Sequence, residues 1–241
     1  KAGTSFTNDA SSTGIGTIDS TGSVNTDAGF SIVSYSGNST AGATIAHGLG
    51  ATPKMMIVRK RNSAENWLVY HASTGNTGAT LLNGTNAFFQ DDMWNSTSPT
   101  SSVFTVHGGA GANASGGTYI AYCFTDVKGY SKFSSYIGNG NADGAFVYTG
   151  FKSAFVMIKK TSGTGNWCLF DNKRGVNGAM IQLNPDVNNA DNTSNYIDFL
   201  SNGFKCRNTA SDKNASGGSY IYMAFSENPF VTSTGVPATA R

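Results

Sequence analysis

The sequence predicts an all-β protein built as two tandem β-sandwich units, jelly-roll-like in topology and each about 100 residues long. Three observations carry this. Glu occurs only twice in 241 residues, at Glu65 and Glu227, so the usual filling of helix surfaces is missing. Short apolar runs rich in Val, Ile, Tyr and Phe alternate with clusters of Gly, Asn, Ser and Thr, which is strand and turn chemistry. Finally, NASGGTYIAYCF at 113–124 returns as NASGGSYIYMAF at 214–225, a shift of 101 positions.

Residues 1–28 are polar, with only Phe6, Ile15, Ile18 and Val24 as sizeable apolar residues, and read as an extended arm or linker lying across a neighbour. The first unit spans 29–130. Its strands are expected near 30–35, 42–46, 55–60, 66–71, 79–82, 103–106 and 118–125. The clearest hairpin is MMIVRK, the loop RNSAE, then NWLVYH, and FVMIKK, TSGTG, NWCLF repeat that layout in the second unit, 131–230. Tyr35-Ser36-Gly37-Asn38 likewise matches Tyr136-Ile137-Gly138-Asn139, and Phe104 matches Phe204. Trp67 and Trp167 open the return strands at matched positions and are read as core anchors, with sugar stacking the alternative. In the closing strand, alternation places Ile120, Tyr122 and Phe124 on one face, matched by Ile221, Met223 and Phe225, and this face is expected to look into the core. The other face is also mostly apolar, so the strand is expected to be central. Residues 231–241 form a tail without periodicity.

Charge narrows the function classes. Sixteen basic residues against 14 acidic ones give a net +2, and no basic run exceeds Arg59-Lys60-Arg61, so nucleic acid is not an expected partner. No apolar run approaches the ~20 residues of a membrane helix, and membrane insertion is not expected. Cys123, Cys168 and Cys206 read as free, partly buried thiols.

Candidate sites are few. Asn139, Asn141 and Asp143 in NGNADG resemble the front half of a calcium loop, but position twelve is Gly150 where a bidentate Glu is needed, so a plain turn is the simpler reading. His47, His71 and His107 are not repeated between the units, and no Gly-x-Ser-x-Gly elbow accompanies them. A pair of facing carboxylates for glycoside hydrolysis is not evident either. The segment FFQDDMWN at 88–95 occurs once, and its Asp91, Asp92 and Trp94 are a candidate ligand loop, the alternative being a Trp packed on its own unit or a neighbouring subunit. No catalytic residue, metal or cofactor is assigned.

The phrases GFSIVSYSGN, GATIAHGLGATPKMMIVRKR, NWLVYH, TSSVFTVHG, TYIAYCFTDVKGYSKFSSYIGNG and DGAFVYTGF resemble a domain family of uncharacterised function found in tail-fibre and other virion proteins of bacteriophages, especially marine ones. The resemblance covers about residues 20–230 and brings no catalytic motif with it. It implies a non-enzymatic virion protein, a tail-fibre or receptor-binding module that attaches to the host, with a capsid-decorating or head-fibre protein as the alternative and a polysaccharide depolymerase as a third. The implied partners are other virion proteins, further copies of the chain in a homo-oligomer such as the trimer common in fibres, and a host surface glycan or protein. It also implies that the chain is a piece of a longer protein, with Lys1-Ala2-Gly3 following the closing strand of a preceding unit.

Overall fold

The computed structural model describes residues 3–174 and 180–227, and the predicted tail at 231–241 lies outside them. The chain forms two compact units. Unit 1 runs to Thr125 except for Asn83–Phe88, which belong to unit 2 together with the chain from Asp126.

Unit 1 contains β1 (Thr4–Asn8), α1 (Ala10–Thr13), β2 (Ser20–Asn25), β3 (Phe30–Ser36), β4 (Ala43–Ala46), β5 (Met55–Lys60), β6 (Leu68–His71), β7 (Gly75–Leu81), β8 (Phe89–Gln90), β9 (Val103–Val106), α2 (Ala110–Asn113) and β10 (Thr118–Phe124). Eight strands form one sheet in the order β1-β2-β3-β10-β5-β6-β7-β8, and β4 and β9 pair as a ribbon, with every named pairing antiparallel. The core lies between these layers. Val33, Tyr35, Val58, Leu68 and Tyr119 meet Ile45, Phe104 and Val106 from the ribbon. β10 is central, between β3 and β5, which accounts for its apolar character on both faces.

Three expectations change here. Residues 1–28 are not a free arm: β1 and β2 extend the sheet beside β3, Ile18 is buried in the core, and Ser20 Oγ donates to Ala46 O at 3.1 Å. Polar strands can do this because ladder bonds use the backbone and need an apolar side chain only where a strand meets the core. The turn between them is set by Asp9, whose carboxylate caps α1 by accepting from the Ser11 and Ser12 amides.

The face of β10 is also reversed. Tyr119, Ala121 and Cys123 are fully buried in the core, whereas Ile120, Tyr122 and Phe124 are half-buried on the opposite face. Size misled the alternation argument. The core side takes two small residues beneath the ribbon, and Tyr119 reaches past them to hydrogen-bond α2. For the same reason Trp67 is no core anchor: it is half-buried, stacked against Tyr122 at 6.5 Å, with Arg59 over its ring at 5.7 Å.

Unit 2 contains β11 (Ser131–Ile137), β12 (Phe146–Tyr148), β13 (Ser153–Lys160), β14 (Trp167–Asp171), β15 (Gln182–Leu183), β16 (Ile197–Leu200), β17 (Gly203–Cys206), α3 (Ser211–Asn214) and β18 (Ser219–Ser226). Its sheets are β11-β18-β13-β14-β15 and β12-β17-β16. The larger one repeats the order β3-β10-β5-β6-β7 of unit 1, and β12-β17 repeats β4-β9. In both units the chain crosses to the smaller layer and back, while β5-β6-β7 and β13-β14-β15 stay within one sheet. Val147, Ile158, Phe170, Phe204, Tyr220 and Tyr222 form the core. Here too the core-facing side of the closing strand is Tyr220, Tyr222 and Ala224, although Ile221 and Met223 behind it are buried as well. Trp167 is buried, outside this core cluster, with Lys159 Nζ over its ring at 5.9 Å.

The twice-written NASGG phrase builds the same lock in each unit. Asn113 Oδ1 accepts from Asn38 N at 2.9 Å and its Nδ2 donates to Thr40 O at 2.9 Å. Asn214 Oδ1 accepts from Asn139 N at 3.0 Å and its Nδ2 donates to Asn141 O at 2.8 Å. Tyr119 Oη donates to Ala110 O and accepts from Ala114 N, and Tyr220 Oη does the same with Ser211 O and Ala215 N. The ring pairs Tyr35–Tyr119 and Tyr136–Tyr220 stack at 5.1 and 5.0 Å. Glycine is required beside them: a Cβ on Gly117 or Gly218 would sit 2.8 Å from the Oη of Tyr119 or Tyr220.

Candidate functional site

The segment 88–95 does not present its tryptophan. Trp94 is fully buried in the unit 1 core, packs edge-on against Tyr70 at 5.8 Å, and donates from Nε1 to Gly78 O at 3.0 Å. Asp92 accepts from Ser96 N and Oγ, and thereby sets the turn behind Trp94, while Asp91 is exposed. Packing on its own unit is therefore the role of Trp94, and the candidate ligand loop of Asp91, Asp92 and Trp94 loses its stacking surface. Burial won because an indole brings more apolar area than any other side chain, and one hydrogen bond satisfies its polar atom.

The calcium-like loop is occupied by protein contacts. Asn139 Oδ1 accepts from Asn141 N, and Asn141 Oδ1 accepts from Asp143 N, both at 3.0 Å. Asp143, its carboxyl lowered mainly by a hydrogen bond from Lys205, pairs with Lys205 Nζ at 2.5 Å and lies 3.8 Å from Arg207 Nη1. These are Asx turns and a salt bridge, with cations where a metal shell would need further oxygens. Among the described residues, no group of three His, Cys, Asp or Glu is placed to hold a metal.

The histidines are committed to turns. His47, His71 and His107 each accept at Nδ1 from the backbone amide two residues on, at 3.0–3.2 Å. His47 is fully buried, and desolvation lowers its pKa below the ordinary value. Burial raises the thiols of Cys123 and Cys168 to about 12 and that of Cys206 to about 11, so none is an activated nucleophile.

Two surfaces remain. In unit 1 a groove of about 620 Å³ is lined mainly by hydroxyls and amides, together with Asp9, Asp19 and Arg61. Its acids are engaged locally: Asp19 Oδ1 accepts from Ala10 N at 2.9 Å, and Asp9 caps α1. The second surface is the outer face of β12-β17-β16. Register sets Phe146 beside Lys205 and Lys205 beside Asp198, then Tyr148 beside Gly203 and Gly203 beside Leu200. Val147 and Phe204 point the other way, into the core. Phe146 and Tyr148 are 48% and 65% exposed, unusual for side chains of this size. Two strand residues apart, they stand about 7 Å from one another along the edge. Lys205, Asp143, Arg207 and Asp198 form a continuous ion-paired cluster beside them.

An aromatic pair flanked by fixed charges can stack against an apolar ring face and hydrogen-bond the hydroxyls around it. The sequence reading missed this surface because it assigned neither a strand nor a face to residues 146–148. Period two alone would have placed Phe146 and Tyr148 together, but only the core position of Val147 shows that they face outward.

Among the described residues, no helix is long and apolar enough to cross a membrane. No curated protein and no solved structure matches the chain. A family profile matches residues 4–229, which takes in both units and both candidate surfaces, and the chain therefore belongs to the family described as a domain of unknown function, DUF7483.

Proposed function

We propose that this chain is a non-enzymatic structural and adhesive module of a bacteriophage particle, a tail-fibre or receptor-binding component that engages a glycan on the host surface. The observation that carries the adhesive part is the exposed Phe146–Tyr148 edge beside the Asp143–Lys205–Arg207–Asp198 cluster. Pyranose rings present a flat C–H face to aromatics and equatorial hydroxyls to charged groups, and this edge offers both partners side by side. The phage setting rests on the resemblance of the sequence phrases. Matched strand order and the matched Asn–Tyr lock support duplication of one unit, an architecture suited to repetition along a fibre and to assembly with further copies, a trimer among them.

The test has two arms. Purified protein is applied to host cells and to their isolated surface polysaccharide, beside a Phe146→Ala/Tyr148→Ala double variant. Binding by the native chain and a loss of at least tenfold in the variant is the expected result. Equal binding by both removes the edge from the site, and release of reducing ends from the polysaccharide overturns the non-enzymatic reading. Labelling of intact particles with antibody against the chain is expected at the tail. A capsid lattice pattern would replace the tail-fibre assignment with a decoration protein.

A further inference from the structure

The face of each large sheet that turns away from its core is built from matched residues, but the two faces are not equally covered. In unit 2, Lys159 stands beside Ile221, and Met223 stands between Phe133 and Met157. All five, together with Trp167, are at most 6% exposed. Register sets Arg59 beside Ile120 in unit 1, and Tyr122 between Ile32 and Ile57. There Ile57 is buried, but Arg59, Ile120, Ile32, Tyr122 and Trp67 are each only half-buried.

Asn83–Phe88, the segment that leaves β7, forms part of this cover in unit 2. Gly84 O accepts from Lys159 Nζ at 3.2 Å, Thr85 O accepts from Gly165 N at 2.9 Å, and Phe88 N donates to Thr161 O at 3.1 Å. The hairpin loop gripped in this way, 161–165, has a counterpart of equal length at 61–65. Among the described residues, no segment grips that second loop, and Arg61 O and Glu65 N have no backbone partner. Lys159 Nζ donates to two carbonyls, Gly84 O and Gly165 O, whereas Arg59 Nη1 is buried with no hydrogen bond. A guanidinium N–H without an acceptor is costly, so this face is incomplete as it stands.

The segment that leaves β15 is the counterpart of the one that leaves β7. Leu169 pairs with Leu183 as Val69 pairs with Thr80, so residues 186–191, DVNNAD, correspond to NGTNAF at 83–88. Residues 188–191 are exposed, and Val187 O, Asn188 O and Asp191 N have no backbone partner among the described residues. We propose that unit 1 binds a second copy of the chain head to tail, with residues 186–191 of one copy laid across Arg59 and the 61–65 loop of the next. Val187 O takes Arg59 as Gly84 O takes Lys159, Asn188 O takes Glu65 N as Thr85 O takes Gly165 N, and Asp191 N reaches Arg61 O as Phe88 N reaches Thr161 O. Charge agrees with this register. It brings Asp191 to Arg61, where the pair within unit 2 is the uncharged Phe88 and Thr161. Among the described residues Arg61 has no carboxylate partner, and Asp191 has Arg174 at 3.5 Å. The two surfaces differ, so the contact is heterologous and passes from copy to copy. It deepens the assembly with further copies proposed above, and it leaves the Phe146–Tyr148 edge out.

Sedimentation velocity over a concentration series, with disulfide trapping, tests this on the purified full chain. The native chain should associate as its concentration rises, and Arg59→Glu should weaken that association at least tenfold. For trapping, Glu65→Cys and Asn188→Cys are made as two separate proteins. Residues joined by a backbone hydrogen bond stand within reach of a disulfide, and the native thiols are buried. Oxidation of the mixture should join Glu65→Cys to Asn188→Cys, while each protein alone stays largely unlinked. A native chain that remains monomeric overturns this interface and the proposed self-assembly together, and leaves glycan binding standing. Association without the mixed disulfide, equally ready linking of Glu65→Cys to itself, or undiminished association of Arg59→Glu overturns this interface alone and assigns assembly to another surface.

Discussion

Replacing Asn113 with Ala removes three side-chain hydrogen bonds at once: acceptance from Asn38 N at 2.9 Å, donation to Thr40 O at 2.9 Å, and donation to Asn38 Oδ1 at 3.2 Å. The side chain is fully buried. Each such bond contributes about 1 kcal/mol net, and leaving the Asn38 amide or the Thr40 carbonyl without a partner adds about 1 kcal/mol more, so the variant should lose about 3–4 kcal/mol. For a domain of this size that corresponds to a fall in Tm of roughly 15 °C. Asn214→Ala should cost a similar amount, because Asn214 also makes three bonds, to Asn139 N, Asn141 O and Asn208 O. Asn113→Asp separates hydrogen bonding from shape. It keeps the oxygen that faces Asn38 N but turns a second oxygen toward the Thr40 carbonyl, and it should be at least as damaging as Ala at pH 7. Urea denaturation followed by tryptophan fluorescence measures all three. A loss below about 0.5 kcal/mol for either Ala variant would refute the assignment of the NASGG phrase as the lock of the unit.

Trp94→Ala should destabilise unit 1 by about 4 kcal/mol, through a large core cavity and the stranded Gly78 carbonyl, while leaving glycan binding by the folded protein unchanged. Calorimetry and the cell-binding assay report the two effects separately. Maleimide labelling at pH 7 should leave Cys123, Cys168 and Cys206 unmodified in the native protein and modify all three in urea, since all are buried with thiols raised to about 11–12. His47 contributes a pH dependence whose sign is fixed by burial. Its folded pKa lies below the ordinary 6.5, so the stability it supports is complete above that value and is lost as pH falls through and below it. Denaturation midpoints between pH 7.5 and 5 should decline more steeply for the native chain than for His47→Gln.

Strand positions were legible because backbone pairing imposes period two and turn residues mark its ends. β5 and β9 fall where MMIVRK and VFTV predict them. The assignment of faces was less legible. In β10 the larger residues Ile120, Tyr122 and Phe124 lie opposite the core, since the space under the β4–β9 ribbon admits Ala121 and Cys123 but not two bulky side chains. The polar first 28 residues gave no sign of joining the sheet, because a ladder bond leaves no mark in hydropathy. The conformational role of Asn113 and Asn214 was hidden for a similar reason. An identical NASGG in both copies signals that something is held constant, but turn and lock use the same letters.

The smaller layers of the two units differ in which edge strand carries exposed aromatics. In unit 1 the outer edge of β4 is taken: Thr17 N and Ile18 N both donate to Thr44 O at 2.8 and 3.1 Å, Thr44 N donates to Thr17 Oγ1 at 2.8 Å, and Ile18 bridges Ile45 in parallel. Register through the matched Phe104 and Phe204 sets Thr44 and Ala46 in the places of Phe146 and Tyr148. Small side chains thus accompany the covered edge and large aromatics the exposed one. An uncovered apolar edge invites unwanted strand pairing, which charges beside it oppose, and the Lys205–Asp143 and Arg207–Asp198 pairs stand where that opposition is needed. The same charges that discourage another strand are those that, on the proposed function, would hydrogen-bond a sugar. Placing Phe and Tyr at positions 44 and 46 should therefore not transfer binding to unit 1 while residues 16–18 hold the β4 edge.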